Sequence, residues 1–154
     1  MREALFAILG PLDGLRVLDA FAGSGALGIE ALSRGAGHAT FVERDRAAVE
    51  VIRRNLAAVG AAERAAVVTG DALAWLRRRR GRQAFDVVLL DPPYDSAARL
   101  GGPLTEHLPG VLAPDAVILS ESDKRSPLAL GLPQSDERTY GDTLITIHRA
   151  PDDR

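Results

Sequence analysis

The chain has 154 residues, with 19 basic and 21 acidic side chains, a formal net charge of −2 and no cysteine. A chain of this length buries roughly 70% of the surface that its unfolded form exposes, so one ordinary core forms without staples. Lack of cysteine excludes a disulfide scaffold, a thiol nucleophile and any cysteine-held zinc or iron–sulfur centre, and the slightly acidic balance argues against a globally basic nucleic-acid binder.

All but one of the basic residues are arginine; Lys124 is the only lysine, so a Schiff-base mechanism has one candidate. No apolar stretch approaches the length of a membrane span, and the N-terminus carries Glu3 where a signal peptide would be basic. The expectation is a soluble cytoplasmic protein, monomeric, with one domain over residues 1–154. In chain order, the chain starts inside what looks like a helix, and Leu15–Phe21 reads as a buried strand. Ala26–Ser33 follows as a helix and Ala39–Glu43 as a second strand. Asp45 suits the N-cap of a helix whose apolar positions Val49, Ile52, Leu56 and Val59 recur at helical spacing. Ala65–Thr69 is a third strand, and Asp71 caps a helix holding Leu73 and Leu76. Phe85–Leu90 is a fourth strand, Gly102 and Pro103 open a helix through Leu112, and Ala116–Leu119 is a fifth strand. Tyr140-Gly141-Asp142 between two extended stretches signals a terminal hairpin. The alternation predicts an α/β fold: a Rossmann-like sheet, mainly parallel with a C-terminal antiparallel hairpin, and helices on both faces.

Gly23, Gly25 and Gly28 form a G-x-G-x-x-G turn between the first strand and its helix, with Glu43 twenty residues after Gly23 at the end of the next strand. Such glycines let the backbone approach a ligand closely, while the acid can accept hydrogen bonds from ribose hydroxyls. Asp19, at the strand's end, is expected to point into the same crevice. A carboxylate there would repel a pyrophosphate and suit a cation, which favours S-adenosyl-L-methionine over a dinucleotide. Asp71 adds an acceptor suited to an adenine amino group, besides its role as a cap.

Asp91-Pro92-Pro93-Tyr94 closes the fourth strand. The two prolines stiffen the loop and remove its amide donors, leaving the Asp91 side chain and the Pro92 carbonyl as acceptors. Together they can hold both hydrogens of an exocyclic amine and turn its lone pair toward a methyl donor, while Tyr94 offers a face for a flipped base. His38, His107 and His148 are scattered and read as surface residues; no metal is implied. Arg77, Arg78, Arg79, Arg80 and Arg82 form the densest basic run, readable either as a phosphate contact or as a solvated helix end, and Arg99 is a second candidate.

Arg2-Glu3-Ala4-Leu5-Phe6, the block from Asp19 to Ala36, Asp91-Pro92-Pro93-Tyr94 and Tyr140-Gly141-Asp142 resemble the RsmD family, within the seven-stranded S-adenosylmethionine-dependent methyltransferases. That resemblance implies transfer of a methyl group to the exocyclic N2 amine of a guanine in small-subunit (16S) ribosomal RNA, with ribosomal RNA or the small ribosomal subunit as partner. It implies that Asp19, Phe21, Ala22, Gly23, Ser24, Gly25, Glu43, Arg44, Asp71, Ala72 and Asp91 bind the cofactor. It also implies that Asp91, Pro92, Pro93 and Tyr94 seize the base. Family members carry a further Gly-, Arg- and Pro-rich flap before the first helix; this chain is expected to lack it. Amino-methylation of adenine in DNA or RNA, or of a protein glutamine, uses the same acceptor geometry and stays open. So does a non-catalytic cofactor-binding or interaction module; the double-proline loop has no role in hydride transfer by a nicotinamide enzyme.

Overall fold

The computed structural model describes residues 2–82 and 84–152. Its elements alternate: α1 (Arg2–Leu9), β1 (Arg16–Asp19), α2 (Ala26–Ser33), β2 (His38–Glu43), α3 (Arg46–Ala58), β3 (Ala65–Thr69), α4 (Ala72–Arg78), β4 (Phe85–Leu90), α5 (Ala97–His107), β5 (Leu112–Asp123), β6 (Gln134–Tyr140) and β7 (Thr143–Arg149). The strands form one seven-stranded sheet in the order β3-β2-β1-β4-β5-β7-β6. β1 to β5 run parallel, whereas β7 pairs antiparallel with both β5 and β6.

The inner strands β1, β2 and β4 are buried on both faces, which is why they read as nearly unbroken apolar runs, whereas β3 at the sheet edge is only half-buried. Val17, Phe41, Val87, Leu89, Leu119, Ile145 and Ile147 pack with α1, α2 and α3. Leu18, Val42, Val88, Leu90 and Ile118 point the other way and pack with α4 and α5 through Trp75, Leu76, Ala97 and Leu104. Because β1 leads outward to β2 while β3 leads back across to β4, the order reverses between β1 and β4. A crevice opens there at the carboxyl ends of the strands, the standard ligand position of such sheets.

Local capping follows the predicted pattern. Asp45 accepts the Ala47 amide at the start of α3, and Asp71 accepts the Ala74 amide at the start of α4. The helix expected over 102–112 instead spans Ala97–His107, with a short 3₁₀ turn over Leu108–Val111. Pro103 lies inside this helix rather than at its start. The missing amide would have reached the Arg99 carbonyl, which belongs to an exposed residue, and buried Ala97, Gly101 and Leu104 hold the helix to the sheet regardless. β5 is also longer than expected, reaching Asp123 because β7 pairs with it as far as Thr143. His107 and His148 are buried, not surface residues, and both lie away from the crevice.

Gly28 sits in the first turn of α2 with its α-carbon against Phe41. A β-carbon there would come within 2.4 Å of the ring. Gly28→Ala should therefore cost about 1–3 kcal/mol in denaturant unfolding, because α2 must lift off β2. Gly102→Ala, in open space within α5, serves as the control: the gain in helix propensity is offset by the clash between a β-carbon and the ring of the following Pro103, so stability should change by less than about 1 kcal/mol.

Candidate functional site

The turn after β1 is built by its own backbone. The Ala22 amide donates to the Val42 carbonyl at 3.1 Å, and the Gly25 amide donates back to the Ala22 carbonyl at 2.8 Å. Gly23 and Gly25 adopt φ of +57° and +83°, a region in which side chains are strained. No atom lies within 4 Å of where a Gly23 β-carbon would sit, so the turn presents bare backbone to open space. Glu43 pins it from the side: Oε1 accepts the Gly23 amide and Oε2 the Asp45 amide, each at 2.8 Å.

The crevice is lined by Ala20, Phe21, Gly23, Val42, Glu43, Arg44, Gly70, Asp71, Ala72, Asp91, Pro93, Ser96 and Leu100. The structure thus brings together Phe21, Gly23, Glu43, Arg44, Asp71, Ala72, Asp91 and Pro93 from the candidate set. Ala22 is buried beneath the turn, Gly25 is the left-handed residue at the start of α2, and exposed Ser24 faces α3, where its carbonyl accepts the Asn55 side-chain amide at 3.2 Å.

Asp19 departs from its expected position. It is 1% exposed and does not line the crevice, because its Oδ2 turns inward to accept the Gly28 amide at 3.1 Å. Burial, and secondarily the negative charge of Asp91 and Glu43, pushes its pKa from an ordinary 3.8 up to about 7, against the opposing pull of the Gly28 amide. Asp19 therefore lies beneath the turn rather than in the crevice, and its burial disfavours the charged form near neutral pH.

Beyond Asp91 the loop forms the wall of a second hollow, lined by Asp91, Pro92, Tyr94, Ala97, Glu121, Ser122, Asp123 and Thr143. Asp91 is common to both cavities, and burial of its surroundings raises its pKa. The Pro93 carbonyl accepts the Ser96 amide at 2.9 Å, which starts α5 and fixes the loop. Among the described residues the Pro92 carbonyl accepts no hydrogen bond. Tyr94 is 58% exposed at the rim. Five residues of this hollow, Ala97, Glu121, Ser122, Asp123 and Thr143, are not among the sequence candidates. The available signal was an acid at the end of a parallel strand, as at Asp19, Glu43, Asp71 and Asp91; ending the fifth strand at Leu119 hid it.

The basic run lies elsewhere. α4 begins at the crevice with Asp71 and carries the chain about 10 Å away. Arg79 stacks on Trp75, Arg77 donates to His107, and the Gly81 amide bonds the Gly110 carbonyl ahead of β5. Arg77 to Arg82 thus occupy the amino-terminal edge of the sheet, opposite Tyr94. Arg99, exposed in the first turn of α5, and Arg125, near Tyr94, stand on the crevice side. Among the described residues no cluster of metal-ligating side chains occurs and no helix is long and apolar enough to cross a membrane.

Asp19 yields a stability prediction. With a native pKa above the unfolded one, its contribution is present at acid pH and is lost as pH rises from about 4 to about 7. Asp19→Asn, which keeps an acceptor for Gly28, should melt like the wild type near pH 4. At pH 8 it should melt about 3 °C higher or more, measured on ligand-free protein.

Comparison with known proteins agrees with this geometry. The family described as "Conserved hypothetical protein 95" matches residues 1–149. The YlbH protein of Bacillus subtilis is 38% identical over 97% of this chain and 84% of its own. Ribosomal RNA small subunit methyltransferase D of Haemophilus influenzae is 38% identical over 83% of this chain and 67% of its own. Among solved structures, a conserved hypothetical protein of Streptococcus pyogenes superposes with a TM-score of 0.85 at 34% identity, covering 97% of this chain and 94% of its own. The chain belongs to the RsmD family of S-adenosylmethionine-dependent ribosomal RNA methyltransferases.

Proposed function

We propose that this chain transfers a methyl group from S-adenosyl-L-methionine to the exocyclic N2 amine of a guanine in small-subunit ribosomal RNA, acting in the cytoplasm as a monomer on the RNA or the assembling subunit. The observation that carries the reading is the position of Asp91 and Pro92. They are acceptors on a donor-free loop, set between the crevice and a hollow with an exposed aromatic ring at its rim. The crevice residues fit the cofactor. Bare backbone at Gly23 leaves room for a ligand, Asp71 and Glu43 are acceptors for an adenosine, and a bound cation would favour the charged form of the buried Asp19.

When bound, S-adenosylmethionine supplies a methyl group already activated on a sulfonium, so the residues around it chiefly align and exclude water. Asp91 and the Pro92 carbonyl accept the two amine hydrogens and turn the nitrogen lone pair toward the crevice. The Asp91 carboxylate and the Pro92 carbonyl dipole would offset the positive charge that grows on the nitrogen as it takes the methyl group from the sulfonium. The surplus proton leaves for water afterwards, so no dedicated base is required. Tyr94 stacks on the base that has left its helix.

The reading is tested by methyl incorporation into unmodified small-subunit RNA and into small-subunit particles, with unrelated RNA and DNA as controls and the methylated nucleoside identified. Methyl-N2-guanosine is expected; methyladenosine or no transfer at all would count against it. Asp91→Ala should lower transfer at least about 100-fold while cofactor affinity falls far less, since the amine loses its side-chain acceptor and the crevice keeps Glu43 and Asp71. RNA binding should depend on the crevice side of the molecule. Arg99→Gln is expected to weaken RNA binding and flatten its salt dependence by about one charge. Arg78→Gln with Arg82→Gln, at the far edge, should leave both unchanged.

A further inference from the structure

We infer that Glu121 reads the N1–H of the target guanine, making it the residue that selects guanine over other bases bearing an exocyclic amine. The inference rests on the functional reading above and concerns the same hollow. Leu90 and Ser120 are register partners in the parallel β4–β5 pair, so Asp91 and Glu121 follow side by side at the carboxyl edge, with strand axes about 4.8 Å apart. Glu121 is itself held in register with Ile145 of β7, so its backbone is fixed on a rigid strand rather than on a loop. Both carboxylates line the hollow that Pro92 and Tyr94 also line.

The other acid in this hollow is already engaged. Asp123 accepts the Arg125 amide at 2.8 Å and its guanidinium at 2.9 and 2.8 Å, and these bonds lower its pKa to about 2. Ser122 accepts the Leu128 amide at 3.1 Å. Glu121, by contrast, accepts no hydrogen bond and forms no ion pair among the described residues. Burial, then the neighbouring charge of Asp91, raises its pKa. An ionised pair in that setting is stabilised by donors and by nothing else that a base can offer.

Base edges differ in what they present beside the amine. Guanine places N1–H next to its N2 amine, a continuous row of donors. Adenine places the bare N1 lone pair next to N6, and cytosine the bare N3 lone pair next to N4. With Asp91 and Pro92 on the amine, a carboxylate at position 121 meets a donor only on guanine. On adenine or cytosine it faces a lone pair, and both groups lose their water without gaining a partner. Asp91 thus accounts for the chemistry common to amine methylation, and Glu121 for the choice of base.

The test replaces the guanine that wild-type protein methylates in small-subunit RNA by 2,6-diaminopurine or 2-aminopurine. Both keep the amine on C2 but carry a lone pair at N1. Wild-type protein should prefer guanine about 100-fold in methyl transfer. Glu121→Gln, whose amide can either accept from N1–H or donate to a bare N1, should cut that preference at least tenfold. 2-Aminopurine fluorescence should rise on binding to Glu121→Gln more than on binding to wild type, a signal of base capture independent of transfer. Glu121→Ser gives a second variant should the first not retain cofactor binding by calorimetry. A variant that transfers to guanine with the full preference intact overturns the role of Glu121 and leaves the functional reading standing. Wild-type protein that methylates no guanine overturns that reading, and this inference with it.

Discussion

The contact on which the rest of this structure depends is the one between the Asp19 carboxylate and the Gly28 amide. It ties the end of β1 to the first turn of α2, inside the core, with an acid that is 1% exposed. Gly28 accepts that arrangement because it has no side chain: the same residue brings α2 against Phe41 and presents its amide to Asp19. The turn between them, Ala20 to Gly25, is then spanned from both ends and can leave Gly23 bare to the crevice. Burial of the acid costs the ligand-free protein stability at neutral pH, the expected pattern where a group is retained for a ligand rather than for the fold.

The sheet also sorts charge in a way that the net value conceals. Each of β1 to β5 carries an acid near the carboxyl edge of the parallel sheet: Asp19, Glu43, Asp71 two residues after β3, Asp91, and Glu121 just past the last β4–β5 register pair. Helix α4 runs the other way and delivers the arginine run to the amino edge. The acidic edge suits a cationic cofactor and a base rich in donors, and it repels a phosphate backbone. A phosphate backbone on that side would meet few cations, among them Arg44 in the crevice lining, exposed Arg99 and Arg125 near Tyr94. The density of a basic run is a poor guide to its use when a seven-residue helix carries it to the opposite end of the molecule.

Much of this was legible beforehand because the relevant signals are local. Glycine spacing between a strand and a helix, caps at Asp45 and Asp71, and a proline pair after an apolar run each depend on neighbours within a few residues. What was not legible depends on residues distant in the chain. The start of α5 is set by the Ser96 amide meeting the Pro93 carbonyl and by packing of Ala97 and Leu104 on the far sheet face, so Pro103 was mistaken for a start signal. The reach of β5 is set by β7, some twenty residues later, and without it Glu121 reads as part of a loop. The inward turn of Asp19 requires an amide nine residues on, reached only once α2 has docked. His107 and His148 are buried through tertiary contacts that no periodicity announces.

On the proposed function, the two cavities that share Asp91 divide the work between methyl donor and methyl acceptor. Residues at the ends of β1, β2 and β3 line the crevice together with the loop after β4 and the start of α5. The second hollow is lined by that same loop and by the end of β5. Such a division separates reaction from selectivity. The amine-holding loop depends on prolines and one acid in a single short stretch, so it can serve any planar amine. Residues on the adjoining strand can change without disturbing β4, because β5 is paired along its other side by β7 and keeps its register. On the proposed role of Glu121, a fold arranged in this way can alter which base it accepts while its chemistry stays fixed, and the strand beyond the motif, rather than the motif, would carry the information about substrate.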